Sequence, residues 1–282
     1  MRLKLNLILL LIVCSGPAPA SAQSGFFQRY QARVAASQAK QPHWATPLVT
    51  VNARLEQQVR TDFVRQTSPA GQNTWNLGAT KGLQFIPLSR VEFRVSPPPF
   101  LMHYNGKSID GFGDAAFRGK YRIYASNEQH HNAILTAILG ASVPTGKNGN
   151  GSCCAILTPT VDMGKGFANL ALMTSIGGTI PASNTIKLGR SINWNSCLQY
   201  HATGVVYLET EFNSTFYKGG SNDGKQQTFV TPNILFSRIP LVHGAAGHQD
   251  LLALTIGGGE QIALTHFHTY NHSPVLTLRL KF

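Results

Sequence analysis

Apolar and polar side chains alternate with a period of two residues along much of this chain, and this pattern limits the folds open to it. The closing stretch shows it on two faces, Leu276, Leu278, Leu280 and Phe282 against Thr277, Arg279 and Lys281. Successive side chains of a β-strand point to opposite faces, so each such stretch predicts a strand with one apolar face. Beyond Ala22 no run approaches the about 18 to 20 consecutive apolar residues of a spanning helix, so any membrane crossing must use strands.

The longest alternating stretch predicts the first strand, over residues 48–66. Its two faces are Val49, Val51, Ala53, Leu55, Val59 and Phe63 on the apolar side, and Thr50, Asn52, Arg54, Glu56, Gln58, Arg60 and Asp62 on the polar side. A soluble strand usually has about five or six residues. The greater length fits a barrel strand that faces hydrocarbon on one side and water on the other.

Repetition of the pattern predicts twelve strands, an even number, as in single-chain bacterial barrels. They lie near residues 48–66, 74–95, 112–125, 132–143, 155–163, 167–179, 186–201, 204–217, 226–238, 248–257, 260–270 and 273–282. Predicted breakers are Pro97-Pro98-Pro99, Pro144-Thr145-Gly146, Gly164-Lys165-Gly166, Gly219-Gly220 and Gly257-Gly258-Gly259. The stretch 74–95 is one kinked strand or two. The predicted class is all-β, an antiparallel transmembrane β-barrel of about 12 strands (roughly 10 to 14), with a soluble sandwich as the alternative.

The N-terminal residues predict export. Arg2 and Lys4 precede an apolar run over residues 5–13, and the triplet Ala20-Ser21-Ala22 fits a signal-peptidase site. A lipoprotein signal at Cys14 is the alternative, but the large, branched Val13 precedes that cysteine. We therefore assign residues 1–22 to a cleavable signal peptide.

The mature chain divides into two parts. Residues 23–47 contain a short helix ended by Pro42 and form a periplasmic segment or a plug of the lumen. Residues 48–282 form the barrel. We expect the protein in the outer membrane.

The composition indicates the partners of the exported chain. Charged residues make up 13 % of the sequence, against roughly 25 % in soluble domains, which fits a surface that faces lipid. The net charge of +12 favours anionic lipopolysaccharide as a partner beside the other outer-membrane lipids. Nucleic acid is excluded, because the basic residues are dispersed along strands and an exported chain meets no genome.

Charged residues on the predicted polar faces are candidates for lining the lumen. They are Arg54, Glu56, Arg60, Asp62, Arg90, Glu92, Arg94, Arg118, Lys120, Arg122, Glu209 and Glu211. Arg118, Lys120 and Arg122 place three cations on one strand face, which favours anions in a water-filled pore. In the alternative interpretation the cations pair with the carboxylates, brace the wall and fix the strand register. The sequence leaves both open.

Two histidines and three cysteines follow patterns that occur in metal and redox sites. His266 and His268 form a His-x-His pattern that can bind a transition metal on a strand. Next to aromatic residues, the same histidines also fit the interface at a barrel mouth. For Cys153, Cys154 and Cys197 a vicinal bridge, a bond to Cys197 and free thiols are all open.

No catalytic residue and no cofactor is predicted. Serines and histidines are present, but no G-x-S-x-G nucleophile elbow occurs in the sequence. Barrel hydrolases do not use that elbow, so its absence is weak evidence, and the prediction that the protein is not an enzyme rests on the channel interpretation.

Four short motifs stand out along the chain and at its end. They are Gly111-Phe112-Gly113-Asp114 followed by Arg118, Lys120 and Arg122, then Val143-Pro144-Thr145-Gly146, Thr231-Pro232-Asn233, and Asn271-His272-Ser273 up to Phe282. In these motifs the sequence resembles outer-membrane proteins of the phenol-degradation meta-pathway transporter family. The resemblance covers residues 44–282. It implies a barrel that passes small molecules, aromatic or apolar ones among them, and it transfers no binding-site residue.

The terminal Phe282 resembles the signal by which barrels are handed to the outer-membrane assembly machinery. Together these features predict a channel for passive passage of small solutes. A non-conducting structural or adhesive barrel and an outer-membrane lipid-modifying enzyme are the alternatives.

Overall fold

The computed structural model describes residues 20–79, 81–242 and 252–282. Most of the predicted signal peptide lies outside these ranges. Helix α1 spans Ala20–Ala39 and a one-turn helix α2 spans Thr185–Leu188. The strands are β1 Gln58–Thr67, β2 Asn73–Leu77, β3 Gly82–Leu88, β4 Val91–Ser96, β5 Phe100–Tyr104, β6 Gly111–Phe112, β7 Ala115–Ser126, β8 Ala133–Val143, β9 Ile156–Phe167, β10 Leu170–Pro181, β11 Arg190–Thr203, β12 Val206–Lys218, β13 Gln226–Val242, β14 Leu252–Ala263 and β15 His272–Lys281. Among the described residues no helix has the length and apolar character to cross a membrane.

The sheet closes on itself as an antiparallel barrel of twelve strands. β15 pairs with β1, with Lys281 opposite Gln58 and Leu280 opposite Val59. Three of the twelve barrel strands are interrupted. They consist of β2 with β3, β4 with β5, and β6 with β7, and in each case the two pieces follow one another along the same adjacent barrel strand. The β4–β5 break falls at Pro97-Pro98-Pro99, where proline cannot donate to the ladder. The predicted fold class is confirmed.

The two ends of the barrel differ in the length of their connections. At the end where Gln58 and Lys281 lie, here called the terminal end, turns 89–90, 168–169 and 204–205 are tight. At the opposite end, here called the loop end, segments 144–155 and 264–271 are long. Transmembrane barrels of bacteria have short periplasmic turns and long extracellular loops. The two-residue turns of the terminal end resemble periplasmic turns, whereas the connection between β13 and β14 at the same end has nine residues.

Alternation along each strand separates an apolar outer surface from a polar interior. Exposed apolar residues of the outer surface include Val59, Phe63, Phe93, Phe117, Tyr121, Leu139, Leu172, Trp194, Leu208, Phe212, Leu276 and Leu278. Buried polar residues of the inner wall include Arg60, Asp62, Glu92, Arg94, Lys120, Thr136, Asp162, Gln199, Glu209, Glu211, Asn233, Thr277 and Arg279. The two-faced pattern predicted for the closing strand is confirmed.

The prediction of a strand over residues 48–66 is wrong in its first half. β1 begins at Gln58, and residues 40–57, here called the lumenal segment, run inside the barrel. Leu48 and Leu55 are fully buried there, and Leu48 belongs to an apolar cluster with Leu235 and Val275 of the wall. The alternating apolar side chains of this segment thus pack against the inner wall and not against lipid.

The predicted total of twelve counts the stretch 74–95 as one strand and the residues of β14 as parts of two; for 74–95 the structure bears out the alternative of more than one strand. The stretch 74–95 contains the β3–β4 turn at residues 89–90, whereas the predicted strands 248–257 and 260–270 correspond to the single strand β14. Gly257-Gly258-Gly259 is not a breaker, because it lies within β14. Glycine is needed at Gly257, since a Cβ there would overlap the Leu235 side chain across the β13–β14 pair. Gly164-Lys165-Gly166 likewise lies within β9. Glycine in a strand often marks such a close approach.

Candidate functional site in the barrel lumen

The lumenal segment enters the barrel from the terminal end and folds back on itself. Gln41 and Leu55 lie side by side, since the Gln41 Nε2 donates to the Leu55 carbonyl at 2.8 Å and the Leu55 N–H donates to Gln41 Oε1 at 2.9 Å. Further along, Asn52 Nδ2 donates to Thr46 Oγ1 at 3.1 Å. The segment therefore forms a closed loop whose tip, near Val49, is its farthest point from the terminal end.

One carboxylate on β12 holds the tip. Glu211 Oε1 accepts hydrogen bonds from the backbone N–H groups of Leu48 at 2.8 Å and Val49 at 3.1 Å, and Oε2 accepts from that of Thr50. Asn233 Nδ2 donates to the same carboxylate at 2.9 Å. Buried backbone donors need partners, and this segment obtains them from a side chain because it has no neighbouring strand.

Cations of the wall hold the carbonyl groups of the segment in the same way. Arg60 Nη2 donates to the Leu48 carbonyl at 2.5 Å, and Arg279 Nη2 donates to the Pro47 carbonyl at 2.8 Å. Lys120 Nζ donates to the Arg54 carbonyl at 2.8 Å. The charged side chains of the wall are therefore ligands of the lumenal backbone as well as partners of one another.

Ion pairs connect several of the predicted lumen residues. Lys120 Nζ lies 3.1 Å from Glu92 Oε1, and these residues are opposite each other in the β4–β7 pair. Arg60 lies 2.8 Å from Asp62 on β1, and Arg54 lies 3.2 Å from Glu56 within the lumenal segment. Such pairs fit the bracing interpretation, and the Lys120–Glu92 pair joins neighbouring strands in a fixed register.

Arg94 and Arg118 differ from the other lumenal cations. They are opposite each other in the β4–β7 pair, and both border a cavity of about 40 Å³ beside Val49–Asn52 of the lumenal segment. Across the part of the chain that the structure describes, neither arginine has a carboxylate within 4.0 Å. Two adjacent guanidinium groups are thus available to an anion.

The predicted site residues fall into three groups. Arg60, Asp62, Glu92, Arg94, Arg118, Lys120, Arg122, Glu209 and Glu211 point inward from the wall, whereas Arg54 and Glu56 belong to the lumenal segment. Arg90 is exposed in the β3–β4 turn and does not line the lumen.

Sequence reasoning missed four residues of the inner surface. Gln199 Nε2 donates to the Ala45 carbonyl at 3.1 Å, and the fully buried Asp162 has both carboxylate oxygens without a partner in the described structure. Arg279 and Lys281 also border the lumen. These last two could have been included, because they occupy the polar face of the closing strand.

His43 and Glu128 fix the lumenal segment at the terminal end. His43 Nδ1 lies 2.8 Å from Glu128 Oε2, and the His43 backbone N–H donates to the same carboxylate. Burial tends to raise the pKa of Glu128, but the hydrogen bonds from His43 outweigh it and lower this pKa below its usual value. The ionised carboxylate is therefore the form that binds the start of the segment.

The predicted metal-binding histidines lie in loop 264–271 and not on a strand. His268 Nδ1 lies 2.7 Å from the Thr265 carbonyl and Nε2 lies 2.8 Å from Asn271 Oδ1, so both ring nitrogens already have partners. No group of three metal-ligating side chains occurs in the described ranges. The placement of His266 and His268 on a strand is wrong.

The same loop narrows the loop end of the lumen. Tyr270 stacks on the inward-facing Phe229 with ring centroids 4.3 Å apart, and its hydroxyl donates to Gln261 Oε1 at 3.0 Å. Burial raises the pKa of Tyr270, and Tyr217 adds to the shift. The phenol is therefore a neutral donor at this constriction.

Cys153, Cys154 and Cys197 are free thiols. Cys153 Sγ and Cys154 Sγ are 3.8 Å apart in loop 144–155. Cys197 is buried in an apolar cluster that includes Trp44 and Ala53 of the lumenal segment.

Comparison with known proteins identifies a likeness of fold. No family model matches the sequence, and no curated protein matches it either. The crystal structure of the COG4313 outer membrane channel from Pseudomonas putida F1 superposes with a TM-score of 0.58 at 13% sequence identity, over 85% of this chain and 100% of that chain. A second structure, from work on the in-meso crystallization of membrane proteins, gives a TM-score of 0.42 at 10% identity over 80% of this chain and 84% of that chain.

Proposed function

We propose that this protein is an outer-membrane channel for passive passage of small solutes, and that the lumenal segment is its gate. The likeness in fold to an outer-membrane channel, the apolar outer surface and the polar inner wall support the channel. The asymmetric lengths of turns and loops support the outer membrane as its location.

The main support for a gate is that side chains, and not strand pairing, hold the lumenal segment in the barrel. Its tip is bound by side chains such as Glu211, Arg60 and Arg279 and forms no strand pair with the wall. Beside it lie cavities of about 40 and 10 Å³, which have room for a few water molecules only. Solutes therefore pass only when residues 40–57 move.

The open lumen would favour small anions. Arg94 and Arg118 have no anionic partner in the described structure, and Lys120 and Arg279 lose carbonyl partners once the segment leaves. Rings of cationic side chains select anions in pores. The resemblance to the phenol-degradation meta-pathway family favours aromatic solutes, and the cationic wall favours anions. We therefore propose aromatic carboxylates as the solutes.

A disulfide lock between the tip and the wall tests the gate. Asn213 Nδ2 donates to Thr50 Oγ1 at 3.1 Å, so a small shift of the tip brings cysteines at these two positions to the spacing that a disulfide requires. The background replaces Cys153 and Cys154 by Ser and Cys197 by Ala. We expect the oxidised Thr50→Cys/Asn213→Cys protein to be closed in planar bilayers and the reduced protein to conduct.

The reduced form of the same molecule is the matched control, because it differs only in the bond. Equal conductance in the oxidised and reduced forms would exclude the lumenal segment as the gate. The single variant Thr50→Cys, with the same reagents, controls for effects of the oxidant on the bilayer.

A non-conducting structural barrel is the second candidate, and the filled lumen favours it. In that case the contacts of residues 40–57 only stabilise the wall. No conductance in any state, including after removal of residues 24–47, would support this candidate over the channel.

A further inference from the structure

A basic pocket lies at the rim of the barrel, between helix α1 and the terminal end. This rim pocket has a volume of about 230 Å³ and is bordered by Arg33 and Lys40 near the end of α1, by Arg90 of the β3–β4 turn, and by Arg122 of β7. No carboxylate is among its lining residues. Four cations without an acid make the rim pocket an anion site on charge alone.

Arg122 forms the buried floor of the rim pocket. It is only 5% exposed, and it donates to the Ser37 carbonyl at 2.7 Å, the Ser89 carbonyl at 2.8 Å and Gln41 Oε1 at 3.0 Å. All of these partners are neutral, and no carboxylate of the described chain lies within 4.0 Å. Burying a cation without a counter-charge is costly, so a bound anion would complete the site.

The position of the pocket indicates what carries the anion. Ile123 and Tyr124 also border it, and both are exposed on the outer surface of the barrel. On α1, Phe26 is exposed and lies seven residues before Arg33, on the same side of the helix. Aromatic residues are typical of the membrane interface of β-barrels.

We propose that the rim pocket binds the phosphate of an anionic phospholipid in the leaflet at the terminal end. Arg122 and Arg90 contact the phosphate, Arg33 and Lys40 surround it from α1, and the acyl chains lie along Ile123 and Tyr124. The bound lipid thereby fixes α1, and with it the start of the lumenal segment, to the membrane. The inference rests on the proposed membrane location but not on conduction.

Binding to the purified full chain in detergent tests the proposal. The probe is dihexanoyl-phosphatidylglycerol, compared with dihexanoyl-phosphatidylcholine and with inorganic phosphate. We expect phosphatidylglycerol to bind most tightly. Equal affinity for phosphatidylcholine would overturn the anionic selectivity, and equal affinity for inorganic phosphate would overturn the lipid as the source.

The variant Lys40→Ser/Arg90→Ser removes two exposed cations that make no side-chain hydrogen bond in the described structure, so folding is preserved. Each cation near an anionic membrane surface contributes about a fivefold factor, and we expect the double variant to lose at least about tenfold in affinity for phosphatidylglycerol. The matched control is Lys107→Ser/Lys147→Ser, which removes two exposed cations at the loop end. Unchanged affinity in the first variant, or the same loss in both, would overturn the proposal. The readout is lipid binding, so the test of the rim pocket is independent of whether the protein conducts.

Discussion

Replacing Glu211 by Gln tests whether a single carboxylate holds the gate shut. Gln has the same shape, but one carboxylate oxygen becomes an NH₂ group that faces the backbone N–H groups of residues 48–50. Glu211 accepts from three successive backbone donors, at 2.8 Å for Leu48 and 3.1 Å for Val49 and from Thr50 as well. The substitution therefore removes the charge from all three bonds and abolishes at least one.

The size of the effect follows from the strength of these bonds. A hydrogen bond to a charged group contributes about 1.5 to 3 kcal/mol, and a neutral one about 0.5 to 1.5 kcal/mol. Loss of one bond and weakening of the others gives about 2 to 4 kcal/mol between the closed and displaced states. At about 1.4 kcal/mol per factor of ten, the ratio of displaced to bound segment rises about 30- to 700-fold.

Open probability in planar bilayers measures this ratio directly. A second readout is the rate at which a membrane-impermeant thiol reagent labels the variant Val49→Cys. The tip is shielded from the reagent only while the segment is in place. The matched control is Glu260→Gln, the same substitution on β14 near the loop end, where Glu260 pairs with His272 at 2.8 Å. If Glu211→Gln and Glu260→Gln show the same open probability and the same labelling rate, Glu211 does not hold the gate.

Three further predictions follow from the wall and its terminus. Arg94→Ser/Arg118→Ser lowers the anion preference of the open channel, and an unchanged reversal potential in a salt gradient would contradict the role of this pair. Gly164→Val raises the open probability, because a side chain there overlaps the Trp44 ring of the lumenal segment and overpacking costs about 1 to 3 kcal/mol; a fully closed variant would argue against it. Phe282→Ala lowers the yield of heat-modifiable barrel in outer-membrane fractions, whereas a normal yield would remove Phe282 as an assembly signal.

The barrel itself could be predicted because its signal is local. On β15, Leu276 and Leu278 face outward while Thr277 and Arg279 face inward, and a shift of register by one residue would reverse all of them. The alternation within each strand therefore indicates which of its faces points into the lumen. Closure follows from a general rule, because a sheet that crosses a membrane can leave no edge unpaired.

The lumenal segment could not be predicted, because its local pattern is the same as that of a strand. Val51 and Leu55 in the lumenal segment alternate with polar residues just as Val59 and Phe63 do in β1. The lumenal segment and a strand differ in the hydrogen-bond partners of their backbone groups. The backbone N–H of Leu48 donates to Glu211, which is 163 residues away in sequence. A strand and a plug with the same alternation differ only in such distant contacts.

The two interpretations of the lumenal charges, bracing and anion selectivity, are two states of the same side chains under the proposed gate. With the segment in place, Lys120 bridges Glu92 and the Arg54 carbonyl, and Arg279 binds the Pro47 carbonyl. With the segment displaced, each loses a backbone oxygen as its partner, and a passing carboxylate offers the same kind of oxygen with a full charge. An anionic solute thus competes for the groups that hold the gate, so at a given voltage the open probability should rise with the concentration of an aromatic carboxylate and stay constant with a neutral aromatic of equal size.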